Sequence, residues 1–429
     1  MASAGSAPPL MRQINCTQVL ATLRGGETLR LSDIAERSGL SRPTVGQVVE
    51  QLQAAGLVTD AKPDARSSRA GRPPRMVRFR SEAAYVVGVD IGRHKVLVIV
   101  ADLLGNVLTR HRRDTSSARG AAQLLAVTRE AITGAIADAE IAPDRVASLA
   151  VGTPGIVDTS TGTVTMSVGM PEWTVDLASE LKGVVGCQLK VENDVNLAAL
   201  AERWYGVART AETVVYVLWG ERVGAGILIG DRLHRGYSNA AGEIGCLVLE
   251  PGSTPEPDED GLGPFDRMVG AGAIAAAGRR ASTAALFGAA AQGDPDARAV
   301  VDEITSQFAR GLAPMLALFD PGLLVIGGGV SQAGTPLLDA VREKVNRLTL
   351  VRPRLALSAL GDEAVALGAV RVALRDAEQR LLPVAGLPAT ATRPITAALA
   401  GSAGGPPVRT ATRVRPGSRE RGQAPGWSV

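Results

Sequence analysis

The chain has 429 residues, 45% of them apolar and only 3% aromatic, which is too long for one compact core and typical of an α/β protein of two or three domains. The sequence has no run of about 18 apolar residues, the length needed to span a bilayer, and its N-terminus lacks the apolar segment of a signal peptide. We therefore expect a cytoplasmic protein without membrane contact. Three cysteines without C-x-x-C spacing are interpreted as reduced structural thiols: Cys16, Cys187 and Cys246.

The net charge of +3 is distributed unevenly along the chain. Residues 1–80 carry 12 Lys and Arg against 6 Asp and Glu, and residues 381–429 carry 6 against 1. Residues 81–380 carry 28 against 36. A basic head on an acidic body indicates that the head, and not the body, meets a polyanion.

The basic head begins with a helical pattern over residues 15–23, which a Gly-Gly turn at Gly25 and Gly26 ends. Two further helices are predicted within residues 31–52. Ser32 is predicted to cap the first of them, Gly39 to make the tight turn between them, and Ser41 to cap the second. The spacing therefore predicts a helix-turn-helix.

The second of these helices has the pattern of a recognition helix, whose first turns reach base edges in the major groove. Its apolar positions Val45, Val48, Val49 and Leu52 share one face, and its outer face is polar. The side chains that we predict to contact DNA are Ser41, Arg42, Thr44, Val45 and Gln47. Two helices joined by a Gly turn also occur in proteins that bind no DNA.

An arginine-rich loop follows, between two short predicted strands around residues 57–58 and 76–79. This is the pattern of a wing, in which arginines on a Gly-Pro loop contact phosphates or enter a narrow minor groove. Arg69, Gly71 and Arg72 are the predicted contacts. The alternative is a solvated basic linker.

The body begins at residue 85 with two β-branched strands that flank a turn at residues 90–93, and it continues with a series of Gly-rich segments. The first pair resembles the opening hairpin of the actin-like ATPase superfamily. Further segments follow in order: VASLAVGTPGIVD at 146–158, VENDVNLAALAERWYG at 191–206, VGAGILIGDRLHRGYSNAAGEIG at 223–245 and LLVIGGGVS at 323–331. With the winged head, this series resembles the ROK family, which contains bacterial repressors of sugar metabolism and sugar kinases.

The resemblance implies a two-lobed α/β fold of the actin-like ATPase and sugar kinase type, with an N-terminal all-α/winged-helix DNA-binding domain. We expect the winged helix in residues 1–82, the ROK sugar-kinase-like domain in 83–381, and a disordered basic tail in 382–429. The charge of the tail could add nonspecific attraction to DNA.

The resemblance also implies a ligand site. Asn193 and Asp194 match sugar-contacting residues of the family, and Asp194 stands at the position of the kinase base. Glu243 matches a sugar-binding glutamate. Helix capping alone would also explain Asn193 and Asp194, and a solvated loop carboxylate would explain Glu243.

Two departures from the family pattern argue against cofactors. Cys246 stands where the family has His, and EPGSTPEPDEDGLGPFD replaces the cysteine-rich zinc motif, so we expect no zinc. The acidic run in that segment could hold a hard cation weakly, or it is a solvated loop.

In the two phosphate loops, Arg93 and Arg222 stand where the family pattern has glycine, and the carboxylate of Glu221 would repel phosphate. We therefore expect no ATP and no kinase activity, although an arginine can itself bind phosphate.

The sequence thus predicts a DNA-binding regulator and not an enzyme: a repressor of carbohydrate metabolism genes that responds to a sugar or sugar phosphate in the cleft. It is expected to bind a palindromic operator as a homodimer or homotetramer. Two alternatives stay open, a ligand-independent regulator whose kinase-like body serves oligomerisation and an active ATP-dependent sugar kinase.

Overall fold

A computed structural model describes residues 9–61, 75–252 and 254–381. The predicted tail at 382–429 lies outside these ranges, as do the predicted wing contacts Arg69, Gly71 and Arg72. The winged helix and the two lobes are described below in chain order.

The N-terminal domain is a three-helix unit with a small antiparallel sheet in the order β1-β3-β2. Its elements are α1 (Pro9–Leu23), β1 (Leu29–Arg30), α2 (Leu31–Ser38), α3 (Arg42–Ala54), β2 (Val58–Ala61) and β3 (Met76–Phe79). The predicted turn is confirmed, since Gly39 has a φ of 69°. The Ser41 cap is confirmed as well, because the Ser41 hydroxyl oxygen accepts a hydrogen bond from the Thr44 amide at 3.3 Å.

The predicted Ser32 cap is wrong. Helix α2 already begins at Leu31, so Ser32 lies within its first turn. The carboxylate of Asp33 instead accepts a hydrogen bond from the Arg30 amide at 3.4 Å, and the Ser32 hydroxyl donates to Asp33 at 3.1 Å. The Asp33 carboxylate, in the first turn of α2, thus accepts a hydrogen bond from the amide of Arg30, which a serine cap would leave without a partner.

The first lobe is built on a five-stranded sheet in the order β10-β7-β4-β5-β6, in which β10, β7 and β4 are parallel and β5 and β6 complete an antiparallel meander. Its strands are β4 (Tyr85–Ile91), β5 (Lys95–Asp102), β6 (Val107–Asp114), β7 (Val146–Thr153) and β10 (Gln188–Asn193). Also in this lobe are α4 (Gly120–Asp138), β8 (Ile156–Asp158), β9 (Thr163–Met166) and α5 (Leu177–Glu180).

The second lobe repeats this plan, with a sheet in the order β13-β12-β11-β14-β15 in which an antiparallel β11–β12 pair is followed by two parallel strands. Its strands are β11 (Thr213–Trp219), β12 (Val223–Ile229), β13 (Arg232–Leu233), β14 (Leu323–Gly327) and β15 (Arg354–Leu357). Its helices are α7 (Pro264–Val269), α8 (Ala271–Gly278), α9 (Thr283–Ala291), α10 (Pro295–Phe319) and α11 (Thr335–Leu348). None of the helices in the described ranges is long and apolar enough to cross a membrane.

Two helices join the lobes and the winged helix. Helix α6 (Asp194–Trp204) starts where β10 ends, and α12 (Ala364–Leu381) packs against α6 and across β4 and β7 of the first lobe. Buried apolar side chains of α12, such as Leu374 and Ala377, share one core with Val77 and Phe79 of the winged helix. Helix α12 therefore belongs to the first lobe and also packs against the winged helix.

Gly88 in β4 allows this close packing. A Cβ atom built on Gly88 would overlap the carbonyl oxygen of Ala366 and lie only 2.5 Å from the Val370 amide nitrogen, both in the backbone of α12. A strand and a helix that touch backbone to backbone at this point cannot separate locally without opening the core.

We expect Gly88→Ala to lower the free energy of unfolding by about 3 kcal/mol, the upper part of the range for overpacking, because backbone atoms must move. Gly272→Ala is the matched control, since a Cβ there meets no atom within 4 Å on an exposed turn of α8. That control is expected to gain about 0.5–1 kcal/mol from helix propensity. Urea denaturation followed by tryptophan fluorescence compares the two, and equal midpoints would contradict the packing argument.

Candidate functional site

The N-terminal half of α3 presents a polar outer surface. Ser41, Arg42 and Gln47 are exposed, and Thr44 is half-buried with its hydroxyl 2.8 Å from that of Ser41. The first turn of α3 also has backbone amides without partners inside the helix, and amides at a helix N-terminus can donate hydrogen bonds to a phosphate.

Val45 was predicted to contact DNA, and the structure contradicts this. Its side chain is 0% exposed and packs in the core with Val48, Val49 and Leu52. At 3.6 residues per turn, positions 45, 48, 49 and 52 lie on one helix face, and that face is turned inward. Val45 therefore packs α3 against the core of the N-terminal domain.

The strands of the wing are joined to α3 by a polar cluster that sequence reasoning missed. Arg75 donates to the Asp60 carboxylate at 3.0 Å and to the Gln53 side-chain oxygen at 2.7 Å, and Gln53 donates to Asp60 at 3.0 Å. The hydrogen bond from Arg75 lowers the pKa of Asp60. Arg75, directly before β3, is therefore engaged with the protein itself.

A cavity of about 230 Å³ lies between the two lobes at the N-terminus of α6. It is bordered by the start of α6, by the β11–β12 turn, and by loops around residues 154–155, 167–170 and 242–246. Asn193, Asp194 and Glu243, the three predicted ligand residues, all line it. The structure therefore brings together side chains that are up to 50 residues apart in the chain.

Asp194 has the most strongly perturbed carboxyl of this cavity. Burial, followed by the charges of Asp90 and Glu243, raises its pKa to about 7, although its carboxylate accepts a hydrogen bond from the Val195 amide at 2.8 Å. Burial also raises the pKa of Asp90 to about 6, against the opposing charge of Lys95, whose Nζ lies 3.3 Å from the Asp90 carboxylate. Near neutral pH, Asp194 can accept or donate a hydrogen bond to a hydroxyl group.

Asn193 is the N-cap of α6. Its side-chain oxygen accepts from the Asn196 amide at 3.0 Å, and its side-chain nitrogen donates to the Gly155 carbonyl at 3.1 Å. The capping role that the sequence left as an alternative is thus present. One lone pair and one N–H of the amide are left for a ligand.

Glu192, directly before Asn193, holds this site together. It is 5% exposed, and it accepts two hydrogen bonds from Arg235, at 2.8 and 2.6 Å. Its other oxygen accepts from the Asn196 side chain and from the Asn193 amide, both at 3.0 Å. The pair fixes the start of α6 to the loop that leads to Glu243, since two N–H groups of Arg235 converge on one oxygen of the buried Glu192 carboxylate.

Glu243 is open to the solvent of the cleft but is surrounded by enough protein that burial, and then the charge of Asp266, raises its pKa. Asp266 is 4% exposed and accepts hydrogen bonds from the Val223 amide at 2.7 Å and the Gly263 amide at 3.0 Å. Asp266 therefore anchors the β11–β12 turn to the start of α7, beneath the cleft.

The Arg222 guanidinium fills the space beside the β11–β12 turn. It donates to the backbone carbonyls of Gly261 and, at 3.0 Å, of Asp260, and a Cβ on Gly169 would clash with it. Across the cleft, His94 of the first lobe lies 3.7 Å from the Glu221 carboxylate of the second. Side chains thus occupy the places between the two loops that glycine would leave open.

The comparisons with known proteins decide the family. The model of the ROK family matches residues 86–376, which is more than half of the chain, and a MarR family model matches residues 13–67. The chain belongs to the ROK family. The predicted two-lobed α/β fold with an N-terminal winged helix is confirmed.

Relatives of the ROK chain include proteins of two kinds. The xylose repressor of Caldicellulosiruptor bescii is 23% identical over 86% of this chain and 97% of its own length, and the glucokinase of Thermotoga maritima is 30% identical over 61% and 86%. A solved ROK family transcriptional regulator, a homolog of the E. coli MLC protein, has a TM-score of 0.70 at 23% identity over 88% of this chain and 100% of that one. A ROK family glucokinase from Streptomyces griseus, in complex with glucose and AMPPNP, has a TM-score of 0.57 at 27% identity over 68% and 100%.

Cys246, at the position of the family's zinc segment, is the one cysteine among the described residues of this loop. Cys246 is a half-buried thiol whose pKa is raised by burial and then by the charge of Glu243, which opposes the thiolate that zinc requires. In the described parts of the chain, no group of three or more His, Cys, Asp or Glu could hold a metal ion.

We expect Asp194→Asn to change how stability depends on pH. Because the pKa of Asp194 is about 7 in the folded protein and lower when unfolded, wild-type Asp194 binds a proton on folding, and its contribution to stability is lost as pH rises from about 4 to about 7. The neutral amide escapes this loss, which amounts to about 1.4 kcal/mol per unit of pKa shift. The melting temperature of the variant relative to wild type should rise over that pH range, and parallel pH profiles would contradict the assignment.

Proposed function

We propose that this ROK protein is a DNA-binding repressor of carbohydrate metabolism genes, whose affinity for its operator changes when a sugar or sugar derivative binds the cleft. The observation that carries the proposal is the exposed polar surface of the capped helix α3, on a chain that also keeps Asp194 and Glu243 around an interlobe cavity. The two relatives of matching length, the xylose repressor and the MLC homolog, support the DNA-binding half.

A continuous set of contacts runs from the cleft to the winged helix, and it supports the proposal of a ligand response. Helix α6 starts at Asp194 in the cleft and ends at Trp204, whose ring centroid lies 3.2 Å from the guanidinium carbon of Arg371. Arg371 lies 3.6 Å from Glu378, and Glu378 lies 3.0 Å from Arg24, directly after α1. The Arg24, Glu378 and Arg371 side chains are only 16%, 21% and 8% exposed, so their ion pairs are little screened by solvent.

In this proposal, the sugar does not need to move α3 directly. A ligand that binds better to one arrangement of the lobes shifts the population of that arrangement, and α6 carries the difference to Arg371 and the winged helix. As in other helix-turn-helix regulators, a dimer would place two copies of α3 on half-sites about one helical turn apart.

We propose further that kinase activity is lost. The Arg222 guanidinium and the His94–Glu221 contact occupy the region of the phosphate loops, and a carboxylate there repels phosphate. The specific observation in favour of the alternative, an active sugar kinase, is the near-neutral pKa of Asp194, which suits a general base, together with the glucokinase relatives.

The experiment that tests the proposed function is fluorescence anisotropy on DNA from upstream of the protein's own gene, with a salt series and a panel of sugars and sugar phosphates. Binding that one sugar changes supports the repressor with a ligand response. Binding that no sugar changes supports the ligand-independent alternative, and absence of binding together with sugar-dependent ADP release supports the kinase.

Substitutions on α3 should affect operator binding specifically. We expect Arg42→Ala to weaken operator binding about tenfold or more, since one good base contact is worth about 1–3 kcal/mol, and Gln47→Ala to reduce the preference for operator over random DNA. Arg347→Ala is the matched control, because it removes the same charge from an exposed position on α11. Equal losses in the Arg42→Ala and Arg347→Ala variants would contradict the assignment of α3.

Glu378→Gln should separate DNA binding from the ligand response. The neutral amide keeps the shape of the side chain but weakens its pairing with Arg24 and Arg371, so we expect nearly unchanged operator affinity and at least a threefold smaller effect of the sugar. Glu343→Gln, in an exposed pair with Arg347 on α11, is the control and should leave both quantities unchanged. A full ligand response in the Glu378→Gln variant would exclude this contact as the coupling route.

A further inference from the structure

A second cavity lies in the first lobe, between the loop that joins β8 to β9, the segment after α5 and the start of β10. Its volume is about 290 Å³, compared with about 230 Å³ for the interlobe cavity. Small-molecule sites typically begin at about 300 Å³, so this first-lobe cavity suits a small metabolite. Among the described residues, none lines both cavities. A ligand of the first-lobe cavity therefore binds separately from a ligand of the cleft.

The polar side chains that line the first-lobe cavity can all donate hydrogen bonds, and two of them are cationic. They are the hydroxyls of Thr159, Ser160 and Thr161, the amide of Gln188, and the amines of Lys182 and Lys190. None of the described residues that line it is acidic, although Asp and Glu outnumber Lys and Arg by 36 to 28 in residues 81–380. Such a lining favours a ligand that accepts hydrogen bonds and carries negative charge.

Lys182 is exposed, and it forms no ion pair within 4 Å with the described residues. The Glu180 carboxylate, two residues earlier in the chain, is paired with Arg129 at 2.7 Å. The Asp158 carboxylate, at the end of β8, accepts hydrogen bonds from the amide and the hydroxyl of Ser160, at 2.9 and 2.6 Å. The nearby carboxylates are thus engaged elsewhere, and the Lys182 amine is open to an anion.

Lys190 connects the cavity with α12. Its amine lies 3.7 Å from the carboxylate of Asp376, a distance too long for a hydrogen bond. Asp376 also accepts a hydrogen bond from the Ser148 hydroxyl at 2.8 Å and pairs with Arg380. One carboxylate therefore serves two cations, and Lys190 has the looser of the two pairs.

The inner part of the cavity is apolar. Leu181, Val185 and Val191 are buried and line it together with the Cys187 thiol. Burial raises the pKa of Cys187 to about 11, so the thiol is neutral near pH 7 and adds no negative charge. Among the charges that act on this thiol, the positive charge of Arg380 is the strongest. The inner part therefore suits the carbon skeleton of a ligand whose charged end faces the lysines.

We propose that the first-lobe cavity is a second ligand site, which binds a small organic anion, a carboxylate or a phosphate monoester. The Lys182 and Lys190 amines hold the charged group, and the apolar side chains hold the carbon skeleton. An ammonium group attracts either anion as a point charge, and the attraction is stronger where protein displaces water. This site is independent of the proposed sugar site in the cleft.

Occupancy of this site reaches the winged helix through α12. An anion that pairs with Lys190 competes with Asp376 for the same amine. Asp376 lies on α12, whose buried apolar side chains share one core with those of the winged helix. The anion is therefore expected to change the affinity for operator DNA. This consequence rests on the proposed DNA-binding function, whereas binding of the anion itself does not.

The test of binding is calorimetric titration of the full-length protein without DNA or sugar. The probes are short-chain carboxylates and phosphate monoesters, each matched with the neutral alcohol of the same carbon skeleton, and inorganic phosphate. We expect one of the organic anions to bind at least about tenfold more tightly than its alcohol, with the ratio falling as salt is added. The two anionic sets distinguish a carboxylate from a phosphate monoester. Inorganic phosphate should bind more weakly than that anion, because it has no carbon skeleton to bury.

Variants locate the bound anion. Lys182→Ala should weaken its binding about fivefold or more, and Lys182→Arg, which keeps the charge, should bind it within about threefold of wild type. Arg347→Ala is the matched control, since it removes the same charge from α11 of the second lobe. In the anisotropy experiment on DNA, the same anion should change operator affinity in wild type and in Arg347→Ala, and change it much less in Lys182→Ala.

Calorimetry and anisotropy separate this inference from the proposed function. Equal affinity for anions and alcohols, or undiminished binding in the Lys182→Ala variant, would overturn the anion site whatever the protein does with DNA. Anion binding that leaves operator affinity unchanged would exclude the route through Asp376. Absence of operator binding would contradict the proposed function instead, and the calorimetric result would still decide the anion site.

Discussion

The backbone contact of α12 with β4 and α6 is the constraint on which the rest of the molecule depends. Gly88 and Gly368 permit it, since a Cβ on Gly88 would overlap α12 and a Cβ on Gly368 would overlap the Leu197 carbonyl of α6. Packing at this distance leaves little freedom to α6, whose first turn forms the cleft. The same helix α12 also contributes the apolar surface on which the winged helix rests. Cleft and DNA-binding domain thus share one rigid support.

The buried charges of the first lobe show how this support is used. Burial raises the pKa values of Asp90 and Asp194, the charge of Asp90 raises that of Asp194 further, and Lys95 compensates for Asp90 only in part. Burying carboxyl groups in this way is costly to the fold, because the charged form loses its hydration. Glu192, by contrast, is hydrogen-bonded through both oxygens, to Arg235 and to Asn193 and Asn196, and fixes the start of α6 where Asp194 lies. Sites built in this way are preorganised for binding.

The sequence was informative where a pattern is local. Glycine turns, the Ser41 cap and the ordered Gly-rich segments predicted the winged helix and the two lobes, and the family motifs predicted which side chains would line the cleft. Contacts across long separations had no such signal: neither the pairing of Glu192 with Arg235 nor that of Arg24 with Glu378 follows from spacing. Val45 was wrongly predicted to contact DNA because it lies near the start of a recognition helix. Its place in the apolar repeat indicates instead a buried side chain, as the structure shows.

The chemistry of the loops, and not the fold, separates the two functions that this family supports. The same two lobes occur in glucokinases and in a transcriptional regulator, so fold similarity alone does not choose between them. Asp194 does not distinguish a kinase from a regulator either, because a carboxyl with a pKa of about 7 serves equally as a base and as a hydrogen-bonding partner of a hydroxyl. The feature that bears on kinase activity is the turn at Glu221 and Arg222, where the Arg222 guanidinium packs against Gly169 in place of open backbone. A phosphoryl group in transfer needs backbone amides and space at this position.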